Sequence, residues 1–327
     1  MLHPITIGNY RFENNLALAP MAGVTDQPFR ILAKKLGAGI TVSEMVASNP
    51  ETRSSRKSLL RTEYQEEPSP VIVQLVGNDA SVMADAAKFH VDQGAHIIDI
   101  NMGCPAKKVC RKAAGSALLS DEKNVARILC AVVNAIDHPV TLKIRTGVSR
   151  EARNAVQIAK IAEDNGVQLL TVHGRSREDK FNGDAEYETI RQVCQAVKLP
   201  VIANGDISSA KKAAQVFQAT GAAGIMIGRG AQGRPWIFRE IAHFLKTGEQ
   251  LPAPKINEIA TLMLEHLTNL HTFYGEPAGV RIARKHIGWY FSTLPDSQGW
   301  RKRINQLTSS NQQLDAVEQY FERILVN

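Results

Sequence analysis

The sequence predicts an α/β fold: a (β/α)8 TIM barrel followed by a small all-helical C-terminal domain. Eight short apolar, β-rich runs recur, each followed by a stretch of helical periodicity. The alternation spans about 230 residues, the length of one such barrel. After Leu251-Pro252-Ala253-Pro254 the strand signal stops and only helical spacing remains. An open doubly wound sheet is the competing arrangement, but no GxGxxG follows the first strand.

The predicted strands are 16–21, 40–45, 71–75, 97–101, 140–145, 169–173, 201–204 and 224–228. Glycines at Gly37, Gly94, Gly166 and Gly221 punctuate the stretches between them, as left-handed helix caps do. In the tail, Ile256, Ile259, Leu262, Met263, Leu267 and Leu270 recur at helical spacing. So do Leu314, Val317, Phe321, Ile324 and Leu325, behind a Ser310/Gln313 capping box. Three to four helices are expected there. The predicted division is 1–248 for the barrel and 249–327 for the helical domain.

The 327 residues are 44% hydrophobic and 22% charged, an ordinary balance for a soluble globular chain. The formal charge is 39 − 32 = +7, which leaves a polyanion, a phosphorylated ligand and a membrane surface open as partners. No apolar run is long enough for a membrane span, and Met1-Leu2-His3-Pro4 does not open a signal peptide. Cys104, Cys110, Cys130 and Cys194 show no metal-ligand spacing, so no metal site is expected and the cytoplasm is the expected compartment. Cys130 and Cys194 read as small core residues.

Strand parity locates a site. Successive residues alternate faces, and in a barrel the inward face becomes the active site at the C-terminal end. In 140–145, Leu142 and Ile144 suit the helix side, so Lys143 and Arg145 point inward. By the same parity Gln74, Asp99, Asn101 and His173 point inward. Asp99 and Lys143, on adjacent strands, are candidates for an ion pair. Asn204-Gly205-Asp206 and Gly228-Arg229-Gly230 end the last two strands, where barrels often bind phosphate. Cys104 follows the fourth strand, placed to protonate or attack a substrate. Lys107, Lys108, Arg111 and Lys112 follow it without an intervening acid, either lowering the thiol pKa, binding a polyanion or forming a solvated loop. In the tail, Arg281, Arg284 and Lys285 share a helical face, and Arg301, Lys302 and Arg303 follow, a pattern suited to RNA phosphates. Trp289, Tyr290 and Trp300 read as core rather than stacking platforms.

These residues resemble the tRNA-dihydrouridine synthases. Ala19-Pro20-Met21-Ala22-Gly23-Val24-Thr25-Asp26 is similar to that family's first-strand signature, and Asp99-Ile100-Asn101-Met102-Gly103-Cys104-Pro105 to its catalytic-cysteine segment. Lys143-Ile144-Arg145-Thr146-Gly147, His173-Gly174-Arg175, Asn204-Gly205-Asp206 and Gly228-Arg229 complete the set in order. Thr41-Val42-Ser43-Glu44-Met45 and 228–236 are similar to the bacterial B-type branch, which implies D-loop position 17 as target.

The resemblance implies FMN-dependent reduction of the uridine C5=C6 bond in tRNA, with NADPH or NADH reducing the flavin. It implies Pro20, Met21, Ala22, Gln74, Lys143, Asn204, Gly205, Asp206, Gly228 and Arg229 at the FMN. Asn101, His173, Arg145 and Arg175 would face the uracil, with Cys104 giving C5 its proton. That role needs a protonated thiol, so the basic run at 107–112 should point away from the sulfur. A monomer without an obligate protein partner is expected. A small-molecule FMN-dependent dihydroorotate or dihydropyrimidine dehydrogenase is the alternative. A barrel that only holds RNA fits poorly with Lys143 and Cys104, and a Schiff-base aldolase on Lys143 is not excluded.

Overall fold

The computed structural model describes every residue except Ser54, Gln65 and Asn327. The chain opens with an antiparallel hairpin, β1 (Ile5–Ile7) and β2 (Tyr10–Phe12). Ile5, Ile7 and Phe12 pack against Ile40, Ile72, Ile97, Leu169 and Ile202, at the entry ends of the following strands. The hairpin therefore plugs the bottom of the barrel and leaves its top for a site.

The main sheet contains β3 (Leu16–Leu18), β4 (Ile40–Thr41), β5 (Val46–Ala47), β6 (Ile72–Val76), β7 (Ile97–Met102), β8 (Val140–Arg145), β9 (Leu169–His173), β10 (Val201–Asn204) and β11 (Gly224–Ile227). All its neighbours pair in parallel, in the order β4-β3-β11-β10-β9-β8-β7-β6-β5. The predicted second strand, 40–45, is realised only as β4, which pairs with β3, while a separate strand just beyond its end, β5, pairs with β6. Between them Ser43 N–H donates to Ile72 O at 3.0 Å, and Gln74 N–H donates to Ser43 Oγ at 3.0 Å. The nine pieces thus make the eight staves of the predicted barrel, closed at one irregular stave. The break coincides with Glu44, a buried carboxylate that accepts the Gly23 N–H.

Helices cover the outside: α1 (Gln27–Lys35), α2 (Pro50–Arg53), α3 (Arg56–Arg61), α4 (Ala80–Asp92), α5 (Lys107–Cys110), α6 (Glu122–Ala135), α7 (Ala155–Asp164), α8 (Glu188–Ala196), α9 (Ala210–Thr220) and α10 (Ile237–Thr247). Ile98, Ile100, Leu142, Ile144 and Val172 face them and are fully buried, as parity requires. Gly221 caps α9 at φ +67°, the left-handed position predicted for it. The expectation of two core cysteines fails at Cys130, while Cys194 packs against the core. Cys130 is exposed, because α6 buries Val125, Ile128, Leu129 and Val132 and turns Cys130 away; Cys194 is only half-buried.

Four helices form the tail: α11 (Ile256–Tyr274), α12 (Ala278–Phe291), α13 (Ser297–Ile304) and α14 (Ser310–Val326). Their core is completed by Leu32 and Leu36 of α1 and by Trp236, so the tail is built onto the barrel. Tyr290 is core and Trp300 packs on Tyr320. Gln313 is no cap: it is fully buried, bonded to His271 at 2.8 Å and donating to Val280 O at 3.3 Å. Leu325 is exposed at the fading end of α14. No helix among the described residues is long and apolar enough to cross a membrane.

Gly233 sets the approach of barrel and tail. It has φ +67°, and a Cβ there would stand 2.3 Å from the Trp289 carbonyl carbon and 2.6 Å from Tyr290 N of α12. Neither backbone can yield without parting the two units. Gly233→Ala should cost at least about 1–3 kcal/mol, read as a lowered denaturation midpoint. An unchanged midpoint would refute this close approach.

Candidate active site

A cavity of about 1040 Å³ opens at the C-terminal ends of the barrel strands. That is at or above the upper end of the roughly 300–1,000 Å³ usual for ligand pockets. It is lined by Pro20, Met21, Ala22, Gln74, Asn101, Cys104, Lys143, Arg145, His173, Arg175, Asn204, Gly205, Asp206, Gly228 and Arg229. The structure therefore brings together all the cofactor, substrate and catalytic candidates from the barrel. Register explains why. Asn101 stands opposite Lys143, and Arg145 and Asn204 both stand opposite His173, so one face of four strands converges.

The predicted ion pair between Asp99 and Lys143 does not form. Asp99 lies one pleat lower, opposite Thr141, and takes its hydrogen bonds from Thr141 Oγ1 and Gln74 Nε2, each at 2.6 Å. Burial pushes the Asp99 carboxyl up, against those two donors. Gln74 Oε1 then accepts from Asn101 Nδ2 at 2.8 Å. Asn101 Oδ1 accepts the backbone N–H groups of Gly103 at 3.1 Å and Cys104 at 2.9 Å. A continuous chain runs from the barrel floor to the cysteine.

Lys143 rises instead into the cavity and donates to Asn204 Oδ1 at 3.0 Å, while Asn204 Nδ2 holds Met226 O at 2.8 Å. The Asn204 side chain is thus committed to aiming the lysine. Burial, and then the Arg145 charge, lower the Lys143 pKa to about 8. Arg145 ties two loops together, donating to Gly103 O, Ser176 O and Lys180 O, each at 2.8 Å. Burial brings His173 down to about 2, with Lys143 and Arg145 adding to the shift, so it is a neutral ring at physiological pH. Burial pushes the Cys104 thiol up, outweighing the lowering by Ala106 N–H, Arg145 and Lys143. Lys107, Lys108, Arg111 and Lys112 are exposed at the rim.

Asp206 is a hub. Its carboxylate accepts Arg175 at 2.9 and 2.7 Å, Arg229 at 3.0 Å and Ala185 N–H at 2.8 Å. Arg175 also holds Asn182 O and Gly183 O, so its donors serve the 176–186 loop rather than a bound base. Sequence reasoning missed Phe181 in that loop. It is 57% exposed at the mouth, with the Arg145 and Arg229 guanidinium carbons each 5.5 Å from its ring centroid. The available signal was a lone aromatic in the polar run Arg177–Asp184. Met45, Lys180 and Gln232 also line the cavity unforeseen.

The tail cations separate. Arg281 is exposed, but Arg284 is half-buried and donates to Leu307 O at 3.0 Å. Lys285 is half-buried on the barrel side, its Nζ 3.5 Å from where a Cβ on Gly23 would stand. Steps of three and four residues fall on opposite flanks of Arg281, and α12 presents those flanks to different neighbours. Arg301, Lys302 and Arg303 are exposed, with Arg303 5.0 Å above the Trp300 ring.

The loop carrying Met21 and Ala22 is braced from behind. Met21 N–H donates to Thr25 Oγ1 at 2.8 Å. Asp26 is buried, accepting Phe29 N–H at 3.2 Å to cap α1 and Tyr274 Oη–H at 3.1 Å. Burial, and then the neighbouring Glu44, raise the Asp26 pKa to about 7. A raised acid binds more protons folded than unfolded, so its stabilising contribution is complete below pH 4 and lost as pH rises through 7. Asp26→Asn should therefore flatten the fall in urea-unfolding stability between about pH 4 and 7, by an amount on the order of a few kcal/mol. An identical pH slope in both proteins would disprove the shift.

The dihydrouridine synthase (Dus) family model matches residues 17–325. The chain is 58% identical over 317 residues to tRNA-dihydrouridine synthase B of Pseudomonas putida, covering 97% of this chain and 94% of that one. It is 55% identical over 316 residues to the protein of that name from Escherichia coli K12, covering 97% and 98%. Among solved structures it is similar to TcOYE with pHBA, at TM-score 0.55 and 11% identity, covering 79% of this chain and 95% of that one. A 2-naphthoyl-CoA reductase complex is similar at TM-score 0.56 and 12% identity, covering 73% and 51%. The two structures share the barrel fold, whereas the family match runs through barrel and tail alike: the chain belongs to the dihydrouridine synthase family.

Proposed function

We propose that this protein reduces the C5=C6 bond of a tRNA uridine to 5,6-dihydrouridine, using FMN reduced by NADPH or NADH. The observation that carries the reading is one cavity holding both a half-buried thiol, whose pKa burial raises, and a strongly cationic lining. Lys107, Lys143, Arg145, Arg175, Lys180 and Arg229 line it against the single carboxylate of Asp206. That balance fits a phosphorylated flavin together with an RNA nucleotide.

The residues fit FMN. Pro20, Met21 and Ala22 offer a backbone wall, and Gln74 has an amide hydrogen left over for the flavin's pyrimidine edge. Gly205, Gly228 and Arg229 would hold the phosphate region. Asp206 would contribute its backbone there, its carboxylate being spent on the arginines. Bound FMN supplies the hydride for C6.

The chain's own groups do the rest. Lys143, aimed by Asn204, would place its ammonium beside bound FMN, where a cation offsets negative charge. Cys104 Sγ holds the proton that C5 needs. Asn101 fixes the Cys104 backbone, and neutral His173 and Arg145 face the uracil, the arginine with the donor capacity left from its loop contacts. The uridine must flip from its stack to enter. Lys107, Lys108, Arg111 and Lys112 at the rim would take tRNA phosphates, as would Arg281, Arg301, Lys302 and Arg303 on the 249–327 domain. Arg284 and Lys285 are weaker phosphate contacts, being half-buried. A monomer in the cytoplasm suits this work.

Mapping dihydrouridine in tRNA from a deletion strain tests the reading. Loss at D-loop position 17, restored by this gene, is expected; unchanged tRNA would refute it. In purified protein, Cys104→Ala should slow dihydrouridine formation about 10²–10⁴-fold while NADPH still reduces the bound flavin at the wild-type rate. Full activity in that variant would remove Cys104 from the chemistry. Release of FMN on denaturation checks the cofactor, and turnover of free dihydroorotate would favour the small-molecule alternative.

A further inference from the structure

Two tail side chains converge on the back of the loop that carries Met21 and Ala22. Tyr274, at the end of α11, donates its hydroxyl to Asp26 Oδ2 at 3.1 Å. Lys285, on α12, brings its ammonium over Gly23. Its charge acts on two buried carboxylates, Asp26 and Glu44. Glu44 accepts the Gly23 N–H and lies 3.6 Å from Arg61 Nε. The turn is closed by Val24 N–H and Thr25 N–H, which donate to Met21 O at 2.9 and 3.0 Å. Glu44 thus holds the turn at Gly23, Asp26 ties its end to α1 through Phe29 N–H, and the tail reaches both, Tyr274 by a hydrogen bond to Asp26 and Lys285 by its charge beside Gly23.

A lysine kept for RNA phosphates gains from exposure, because its charge must reach a mobile backbone in water. Lys285 is half-buried, and desolvation lowers its pKa against the pull of Asp26 and Glu44. Holding it there costs free energy that a phosphate contact alone would not offset. Two buried carboxylates close together, by contrast, need a cation or a donor to remain folded where they are. Tyr274 and Lys285 supply one donor and one cation.

We propose that Tyr274 and Lys285 are positioning residues that hold the Met21–Asp26 turn in the form that receives the flavin, making the helical tail part of the cofactor site. The inference rests on the flavin reading above. It assigns Lys285 a task different from the exposed cations of its own helix and of α13.

FMN titration of the apoprotein without tRNA, followed by flavin fluorescence, is the test. Lys285→Met and Tyr274→Phe should each weaken FMN binding at least about fivefold, and Lys285→Arg should restore most of it. Should Lys285→Met fail to fold, Tyr274→Phe, which loses a single oxygen, carries the test. If wild type and both variants bind FMN equally, and Lys285→Met only raises the tRNA KM, the positioning role is overturned while the flavin reading stands. If wild type itself takes no FMN, the flavin reading falls and this inference with it.

Discussion

Asp99 sets the polarity of the whole site. A glutamine and an asparagine can each present either end of the amide, and nothing in their own chemistry chooses. A buried carboxylate that must be given hydrogens removes the freedom. Gln74 has to turn its nitrogen to Asp99, so its oxygen faces Asn101. Asn101 must then give its nitrogen to Gln74 and its oxygen to the backbone of Gly103 and Cys104. The path of the cysteine loop thus follows from one carboxylate two links away, and any loss at Asp99 propagates upward. A chain with each member satisfied also repays the burial of so many polar atoms in a barrel interior.

The broken second stave follows a similar logic on the other side of the mouth. The chain leaves strand geometry between β4 and β5, where Glu44 is buried against Gly23 N–H and 3.6 Å from Arg61 Nε. The break costs ladder bonds, which Ser43 partly replaces through Ile72 O and Gln74 N. In return Glu44 reaches Gly23 and anchors the first βα loop. Barrel closure and the geometry of the loop that lines the cavity with Met21 and Ala22 are therefore coupled.

Most of the barrel and its site was legible because parity is a strict period-two rule. Once Leu142 and Ile144 face the helices, Lys143 and Arg145 have nowhere to go but inward, and parallel register carries His173 and Asn204 to the same face. What parity cannot give is height. Asp99 and Lys143 share a face but differ by one pleat, so the expected pair fails. Nor does residue type show which donors are already spent: Arg175 and Asp206 line the cavity yet consume each other. Helical spacing failed for a related reason. It groups Arg281, Arg284 and Lys285, but only the packing of α12 between barrel and α13 decides which flank meets water. Phe181 escaped because a loop has no period.

Burial and charge compete differently at each titratable group of the cavity, and the differences fit a division of labour. Desolvation disfavours whichever form is charged. For a thiol it opposes ionisation, and at Cys104 it outweighs the nearby cations, so the sulfur keeps its proton. For an imidazole it opposes protonation in the same direction as those cations, so His173 stays neutral and cannot compete as an acid. For Lys143 it lowers the pKa only to about 8, leaving the ammonium mostly charged at neutral pH. A cysteine so close to lysine and arginine would ordinarily be read as a nucleophile. Here the cations meet their own demands, Lys143 at Asn204 and Arg145 at three carbonyls, and burial favours the thiol over the thiolate, the form that the proposed role requires.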